Sequence, residues 1–381
     1  MRRKDFSDLK IDIQTEKKQS FEYEQSIAGN APFLRGIYTS MFIQKPLKCK
    51  MVIDHNSPLK SNEIIKINLK KGYQDFILKF TSKNSSNGIK VNSVDDMCIL
   101  LNDLPLNNIS FTLNLDTTLN IPLIAIFLAT SEELGFNNKQ INFSIQHCIK
   151  NSIKKNNLTD TLFYLNKHVS QFETILFSTT FSEKNINFEN TLAKLISNIS
   201  NYIEVCLSKG LKIDNIAPKF SLSIELNGSP SNTIAQLRAL RIVWSKLIKQ
   251  YSPKLEESQA LKIHITNSNS YLNTLSAVLG GAQSCITSKE NFNLIEKETF
   301  ITKTVDPFGG SNIIEEFTKK SANKIWNLIT EIKNNNFKKE FNQNKTNKPK
   351  LRSKNILELS IDAAKKRIKL GEIFNIIEDI E

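Results

Sequence analysis

The strand-length runs in this chain share an unusual period: one edge apolar, the other furnished with small polar groups. Over 109–116, Ile109, Phe111, Leu113 and Leu115 alternate with Ser110, Thr112, Asn114 and Asp116. Over 141–146, Ile141, Phe143 and Ile145 alternate with Asn142, Ser144 and Gln146; over 219–225, Phe220, Leu222 and Ile224 alternate with Ser221, Ser223 and Glu225. Successive strand side chains point to opposite faces, so each run has one oily and one hydroxyl- or amide-bearing face. Parallel strands covered on both sides normally read as unbroken Val/Ile/Leu runs. These do not.

Between the runs lie helical segments: 93–103, 121–134, 158–170, 187–209, 231–250 and 271–280. In the fifth, Ile234, Leu237, Leu240, Trp244 and Leu247 form one face behind a Ser231-Asn232 cap. Strand candidates are 75–82, 109–116, 141–147, 173–180, 219–226, 261–267, 282–287 and 298–305. Eight strands alternating with helices predict a parallel sheet closed into a (β/α)8 TIM-type barrel. If the apolar set faces the helices, the bore is lined by hydroxyls and amides. Buried polar groups need partners, so such a bore holds water or a polar ligand, or its residues satisfy one another.

Residues 1–60, with Pro32, Pro46 and Pro58 and no clear period, read as an extended N-terminal arm. The barrel is expected over 61–312 and C-terminal helices over 313–381. A Lys/Asn-rich linker is expected at 332–354, and an amphipathic helix from Ile356. No run of some eighteen apolar residues predicts a membrane span, and no secretory leader is visible behind Met1, which suggests a cytoplasmic protein. The five cysteines are scattered and fit buried thiols. The net charge of +13 comes with lysines dispersed among asparagines and isoleucines. Without aromatic interleaving or recognition-helix spacing, it reads as a solvated surface, not a nucleic-acid footprint. There is no nucleophile elbow, Walker A loop or dinucleotide-binding glycine fingerprint. The four histidines, His55, His147, His168 and His264, form no metal-ligand pair.

Several segments, in collinear order, resemble the methylmalonyl-CoA mutase family. They are Arg35-Gly36-Ile37-Tyr38-Thr39-Ser40-Met41-Phe42 with Lys45-Pro46, Val94-Asp95-Asp96-Met97 through Leu104-Pro105-Leu106, and Ile145-Gln146. Further along come Leu237-Arg238-Ala239-Leu240-Arg241-Ile242-Val243-Trp244, Leu279-Gly280-Gly281-Ala282-Gln283-Ser284, and Val305-Asp306-Pro307-Phe308-Gly309-Gly310-Ser311. The helix around Ala363-Ala364 and the segment Leu370-Gly371-Glu372-Ile373 resemble the end of the family's mutase domain.

The resemblance implies a barrel whose axis is threaded by the pantetheine arm of coenzyme A. The positions that would contact an acyl-CoA are Tyr38, Ser40, Met41, Lys45, Thr112, Asn114, Ser144, Gln146, Arg238 and Gln283. In active members adenosylcobalamin supplies a radical and the barrel shields it while the thioester migrates. Here the family's tyrosine after the Arg-Pro-Trp segment aligns with Val52, and its Tyr-His pair with Thr180-Phe181, so no catalytic residue is assigned and no metal site is expected. A phenylalanine cannot donate the hydrogen bond that a histidine gives a migrating carbonyl. Losing such a donor lowers rates by roughly two to three orders of magnitude. The segment after Gln146 is short, and no Asp-x-His-x-x-Gly cobalt-ligating loop occurs. The expectation is a degenerate small subunit supporting a catalytic large subunit, in a heterodimer whose adenosylcobalamin sits on that partner. Two alternatives stay open: an active acyl-CoA mutase using a separate cobalamin-binding subunit, and a stand-alone CoA-ester binding protein.

Overall fold

The computed structural model describes residues 23–81, 87–114, 120–148, 155–178, 188–226, 228–266, 270–342 and 355–380. Eight parallel strands close into a barrel: β1 (Lys48–Ile53), β2 (Asp75–Lys79), β3 (Ser110–Asn114), β4 (Asn142–Cys148), β5 (Phe172–Ser178), β6 (Phe220–Ile224), β7 (Lys262–Ile265) and β8 (Ser284–Ile286). β8 pairs with β1 through Cys49 and Cys285 and completes the ring.

Helices follow the strands: α1 (Pro58–Lys70), α2 (Val94–Leu101), α3 (Asn120–Glu133), α4 (Lys155–His168), α5 (Phe188–Ser208), the short α6 (Ile213–Ile216), α7 (Pro230–Lys249), α8 (Tyr271–Leu279) and α9 (Lys289–Asn293). Serine side chains cap the starts of α1, α2, α8 and α9. Ser93, the N-cap of α2, accepts from the Asp96 amide at 3.3 Å, and the Asp96 carboxylate accepts from the amide of the preceding residue, Asn92, at 2.8 Å. α7 begins at Pro230, behind Ser229 as N-cap residue without a side-chain cap bond, slightly earlier than the Ser231-Asn232 cap read from sequence. Three C-terminal helices complete the shell. α10 (Asn312–Asn342) packs on α7 and α5, α11 (Ile356–Lys365) on α3 and α4, and α12 (Leu370–Ile380) on α3. None of the described helices is long and apolar enough to cross a membrane.

The strand polarity resolves as the alternation required. Phe127 of α3 packs between Phe111 and Phe143 at centroid distances of 6.1 and 5.3 Å, and Phe177 stacks on Tyr202 of α5 at 5.8 Å. The apolar set therefore faces the helices and the polar set faces the bore. The register aligns Lys50, Asp75, Ser110 and Asn142 at one level and Thr112 with Ser144 at the next.

Three expectations are corrected. The first strand, β1, lies inside the stretch read as an arm. Its Lys-Cys-Lys-Met-Val-Ile pattern puts lysines in the polar phase, where they looked like surface. The strand expected at 298–305 is instead the end of a π-helical turn (Leu294–Glu298), a left-handed Phe300 at φ 54° and a 3-10 turn, Ile301–Lys303. A barrel already closed by β8 on β1 offers that segment no edge to join. Finally, α10 runs on to Asn342, through the first part of the expected 332–354 linker.

Candidate functional site

The bore is crossed by charge. Lys48 of β1 forms an ion pair with Glu173 of β5, and these strands are four places apart in a ring of eight, hence opposite one another. Lys48 also lies 3.4 Å from Asp75 of β2, and Ser144 of β4 donates to Glu173 at 3.4 Å. One level deeper, the Lys50 ammonium, 3% exposed, donates to Thr112 Oγ1 at 2.9 Å. Glu173 owes its aim to an irregularity in β5. Phe143 pairs with Phe172, but Ile145 pairs with Ile175, so β5 carries one extra residue there. A bulge re-aims side chains. Glu173 and the next residue, Thr174, both find polar partners, Lys48 for the first and Ser221 Oγ at 3.0 Å for the second.

The electrostatics follow from burial against pairing. Burial pulls the Lys48 amine down, but Glu173 and Asp75 outweigh it and its pKa ends above the ordinary lysine value. Burial pushes the Glu173 carboxyl up, yet Lys48 and Lys50 bring it below the ordinary value. Asp75 stays raised, because its lysine neighbours only partly offset burial. Lys50, almost sealed from water, is lowered to about 8. His264 of β7, hydrogen-bonded through Nδ1 to Ser284 Oγ at 2.6 Å, is held well below its ordinary value by burial and by Lys50, Lys262 and Lys48. It is therefore neutral at pH 7.

At the N-terminal mouth of the bore lies a cavity of about 170 Å3 walled by Tyr38, Met41, Phe42, Lys45, Pro46, Lys48, Glu173, Lys262, His264 and Gln283. Four residues implied by the family resemblance, Tyr38, Met41, Lys45 and Gln283, meet here. Lys45 sits over the Tyr38 ring at 4.8 Å. Gln283 accepts from the Ile263 amide at 2.8 Å and donates to the Gly281 carbonyl at 2.8 Å. Thr112 and Ser144 lie deeper, engaged with Lys50 and Glu173. Asn114 and Gln146 pair with each other towards the opposite end, half-buried. Ser40 is in the same arm turn as Met41, half-buried, and is not among the cavity walls. Val52 follows Lys50 in the polar phase of β1, pairing with Ile77, and offers only hydrocarbon. Thr180 and Phe181 lie outside the described residues. The charged groups Lys48, Lys50, Asp75 and Glu173 were missed in the sequence. For Lys48, Lys50 and Asp75 the signal was a charge in the polar phase of a strand; Glu173 falls in the phase of Ile175 and Phe177 and gave none.

Arg238 is apart from this cavity. On α7, 1% exposed, it forms an ion pair with Asp306 and reaches Glu315 of α10 at 2.5 Å, while Arg35 of the arm binds the other Asp306 oxygen at 3.1 Å. Arg241, one turn on, donates to the Gly280 and Gly281 carbonyls at 2.8 and 2.5 Å. A Cβ on Gly309 would overlap the Arg35 guanidinium and approach Asp306 Oδ2 to 2.9 Å, so the glycine makes room for the pair. Four of the segments quoted above thus converge on one buried ionic staple joining arm, α7, α8 and α10. A larger cleft, about 560 Å3, lies beside it outside the barrel, between the arm, α7 and α10.

The described residues do not offer cobalt a ligand. His147 and His264 are buried, His55 Nδ1 accepts from the Ser57 amide at 3.1 Å, and His168 stacks on Tyr164 at 4.6 Å. Nor, among the described residues, do three His, Cys, Asp or Glu side chains gather as metal ligands.

Fold and site together define a (β/α)8 barrel with a hydrophilic interior entered from its N-terminal mouth. The family model described as methylmalonyl-CoA mutase matches residues 6–289 and again 276–336. The chain belongs to the methylmalonyl-CoA mutase family. It is 25% identical over 370 residues to the methylmalonyl-CoA mutase of Cereibacter sphaeroides, covering 82% of this chain and 52% of that protein. With that of Rhizobium meliloti it shares 26% over 366 residues, covering 81% and 51%. With the methylmalonyl-CoA mutase large subunit of Porphyromonas gingivalis it shares 22% over 373 residues, covering 82% and 52%. It spans about half the length of these relatives.

Proposed function

We propose that this chain is the supporting barrel of a methylmalonyl-CoA mutase-type isomerase, acting in the cytoplasm beside a catalytic partner chain that binds adenosylcobalamin. The observation that carries this reading is the Lys48–Glu173 pair across the bore, where the resemblance calls for a pantetheine arm. The pair is half-buried, and Asp75 at 3.4 Å from Lys48 and Ser144 donating to Glu173 hold it in place across the mouth of the bore. Val52, without a polar group, supports the same reading, and two relatives are themselves called large subunits. The test is a spectroscopic titration of the purified chain with adenosylcobalamin and a calorimetric one with acyl-CoA. Neither ligand binds stoichiometrically if the reading is right; tight cobalamin binding by the chain alone would refute it.

A second reading is favoured by the meeting of Tyr38, Met41, Lys45 and Gln283 at the mouth. It is an acyl-CoA mutase barrel that works with a separate cobalamin-binding subunit, or one that only binds CoA esters. Turnover of an acyl-CoA on mixing with such a subunit would decide for the first form. Acyl-CoA binding without turnover would decide for the second.

A further inference from the structure

We infer that the cavity at the N-terminal mouth is a binding site for a small organic carboxylate, an acid with a short hydrocarbon body, held between lysines and a histidine. Four donors face this space without hydrogen-bond partners among the described residues: the Lys45 and Lys262 ammonium groups, the Tyr38 hydroxyl and His264 Nε2. His264 is 7% exposed and fixed by Ser284, so its free nitrogen is aimed, not mobile. Either atom of the His264 Nδ1–Ser284 Oγ bond can donate; an anion in the cavity selects the tautomer in which Ser284 donates and Nε2 carries the proton. A buried ring nitrogen such as His264 Nε2 is normally satisfied, while Lys45 is exposed and Tyr38 and Lys262 are half-buried at the rim; one acceptor in the cavity would serve them together.

The charge balance says which acceptor. Lys45, Lys48 and Lys262 border the cavity, while the one carboxylate on its wall, Glu173, is already engaged by Lys48. The remaining excess is positive, so the complement is an anion. The opposite wall, Met41, Phe42 and Pro46, is apolar. Inorganic phosphate would leave that wall wet, whereas a carboxylate with a few methylene groups fills both halves. At about 170 Å3 the space is below that of drug-sized pockets and suits one small molecule. The inference does not depend on the supporting role proposed above, since Lys262 and His264 are not among the positions that the family resemblance implies.

The experiment is calorimetric titration of the whole chain with succinate, butyrate, inorganic phosphate and pantetheine. The proton–nitrogen correlations of His264 are followed alongside. Succinate or butyrate is expected to bind, to shift the His264 Nε2 resonance, and to do so more tightly than phosphate. Lys262→Met and His264→Phe are expected to weaken binding about tenfold or more, a charge-assisted bond each. Lys246→Met, an equal change of charge on α7, leaves it unchanged. His264→Gln, which keeps an N–H donor, covers the case in which the phenylalanine variant does not fold. Absence of carboxylate binding at millimolar ligand, or binding indifferent to Lys262, overturns the inference. So does tighter binding of phosphate, which makes this an inorganic-anion site. Binding of pantetheine but no acid also overturns it, assigns the cavity to the thioester arm, and counts separately against the closed bore.

Discussion

Arg238→Met is expected to destabilise the fold by about 3 kcal/mol without touching the bore. Arg238 is 1% exposed and divides its guanidinium between Asp306, 5% exposed, and Glu315, 7% exposed. Removing one partner of a buried ion pair leaves the other charge uncompensated, a loss of about 3–5 kcal/mol. Two residual bonds place this case at the lower end: Asp306 keeps Arg35 at 3.1 Å, and Glu315 keeps the Gly310 amide at 3.0 Å. Against a total stability of about 5–15 kcal/mol that is a large fraction. With a denaturant slope of about 3 kcal/mol per molar, the urea midpoint falls by about 1 M. Tryptophan fluorescence reads it well, since Trp244 lies on α7 and Trp326 on the helix packed against it. Arg238→Lys recovers less than half, because one ammonium cannot serve two carboxylates in the geometry of a planar fork. Arg238→Met with Glu315→Gln recovers part of the loss by removing the stranded charge. The reasoning is refuted by an unchanged midpoint in Arg238→Met, or by a double variant no more stable than the single one.

Other consequences can be checked with the same purified chain. His147, 1% exposed and with neither ring nitrogen partnered among the described residues, has its pKa lowered by burial to about 4. The unfolded chain therefore takes up a proton below pH 6.5 that the folded chain refuses until about 4. Stability from this group is complete above pH 6.5 and falls between 6.5 and 4, by about 3 kcal/mol in all. His147→Phe should flatten that part of a stability–pH profile, and a profile with an unaltered acid limb would contradict it. Lys50→Met should stabilise the chain by about 1–2 kcal/mol at pH 7, because removing a buried amine outweighs the lost bond to Thr112; thermal unfolding gives the sign. Gly309→Ala, pressing on Arg35 and Asp306, should destabilise by about 1–3 kcal/mol, and the effect should shrink in an Arg35→Ala background, where only the Asp306 contact remains.

Much of this architecture was legible in the chain. The alternation in 109–116 and 141–146 fixed which face of each strand looks inward, and the helical segments were found within a few residues. What could not be read was long-range charge pairing. Lys48 and Lys50 sit in a strand whose polar phase resembles a solvated edge, and only closure of β8 on β1 reveals that phase as interior. Glu173 is legible as an inward group only once the extra residue in β5 is known, since strict alternation gives no hint of a bulge. Arg238 shows the converse limit. A motif shared with a family marked it as a ligand contact, whereas its burial between Asp306 and Glu315 gives that motif a packing explanation. The segment 298–305 has the β-branched composition of a strand, and composition carries no information about whether a barrel is already full.

The irregularity in β5 has an outcome at the scale of the whole barrel. Because a single surplus residue sets the direction of Glu173, the tie between diametrically opposed walls is encoded by length as much as by side-chain identity. Removing Phe172 while the register from Ile175 onward holds would set Glu173 opposite Phe143, turn the acid towards the oily shell of helices and leave Lys48 with Asp75 alone. A conduit could thus be plugged or cleared by insertion and deletion, with no change in what lines it.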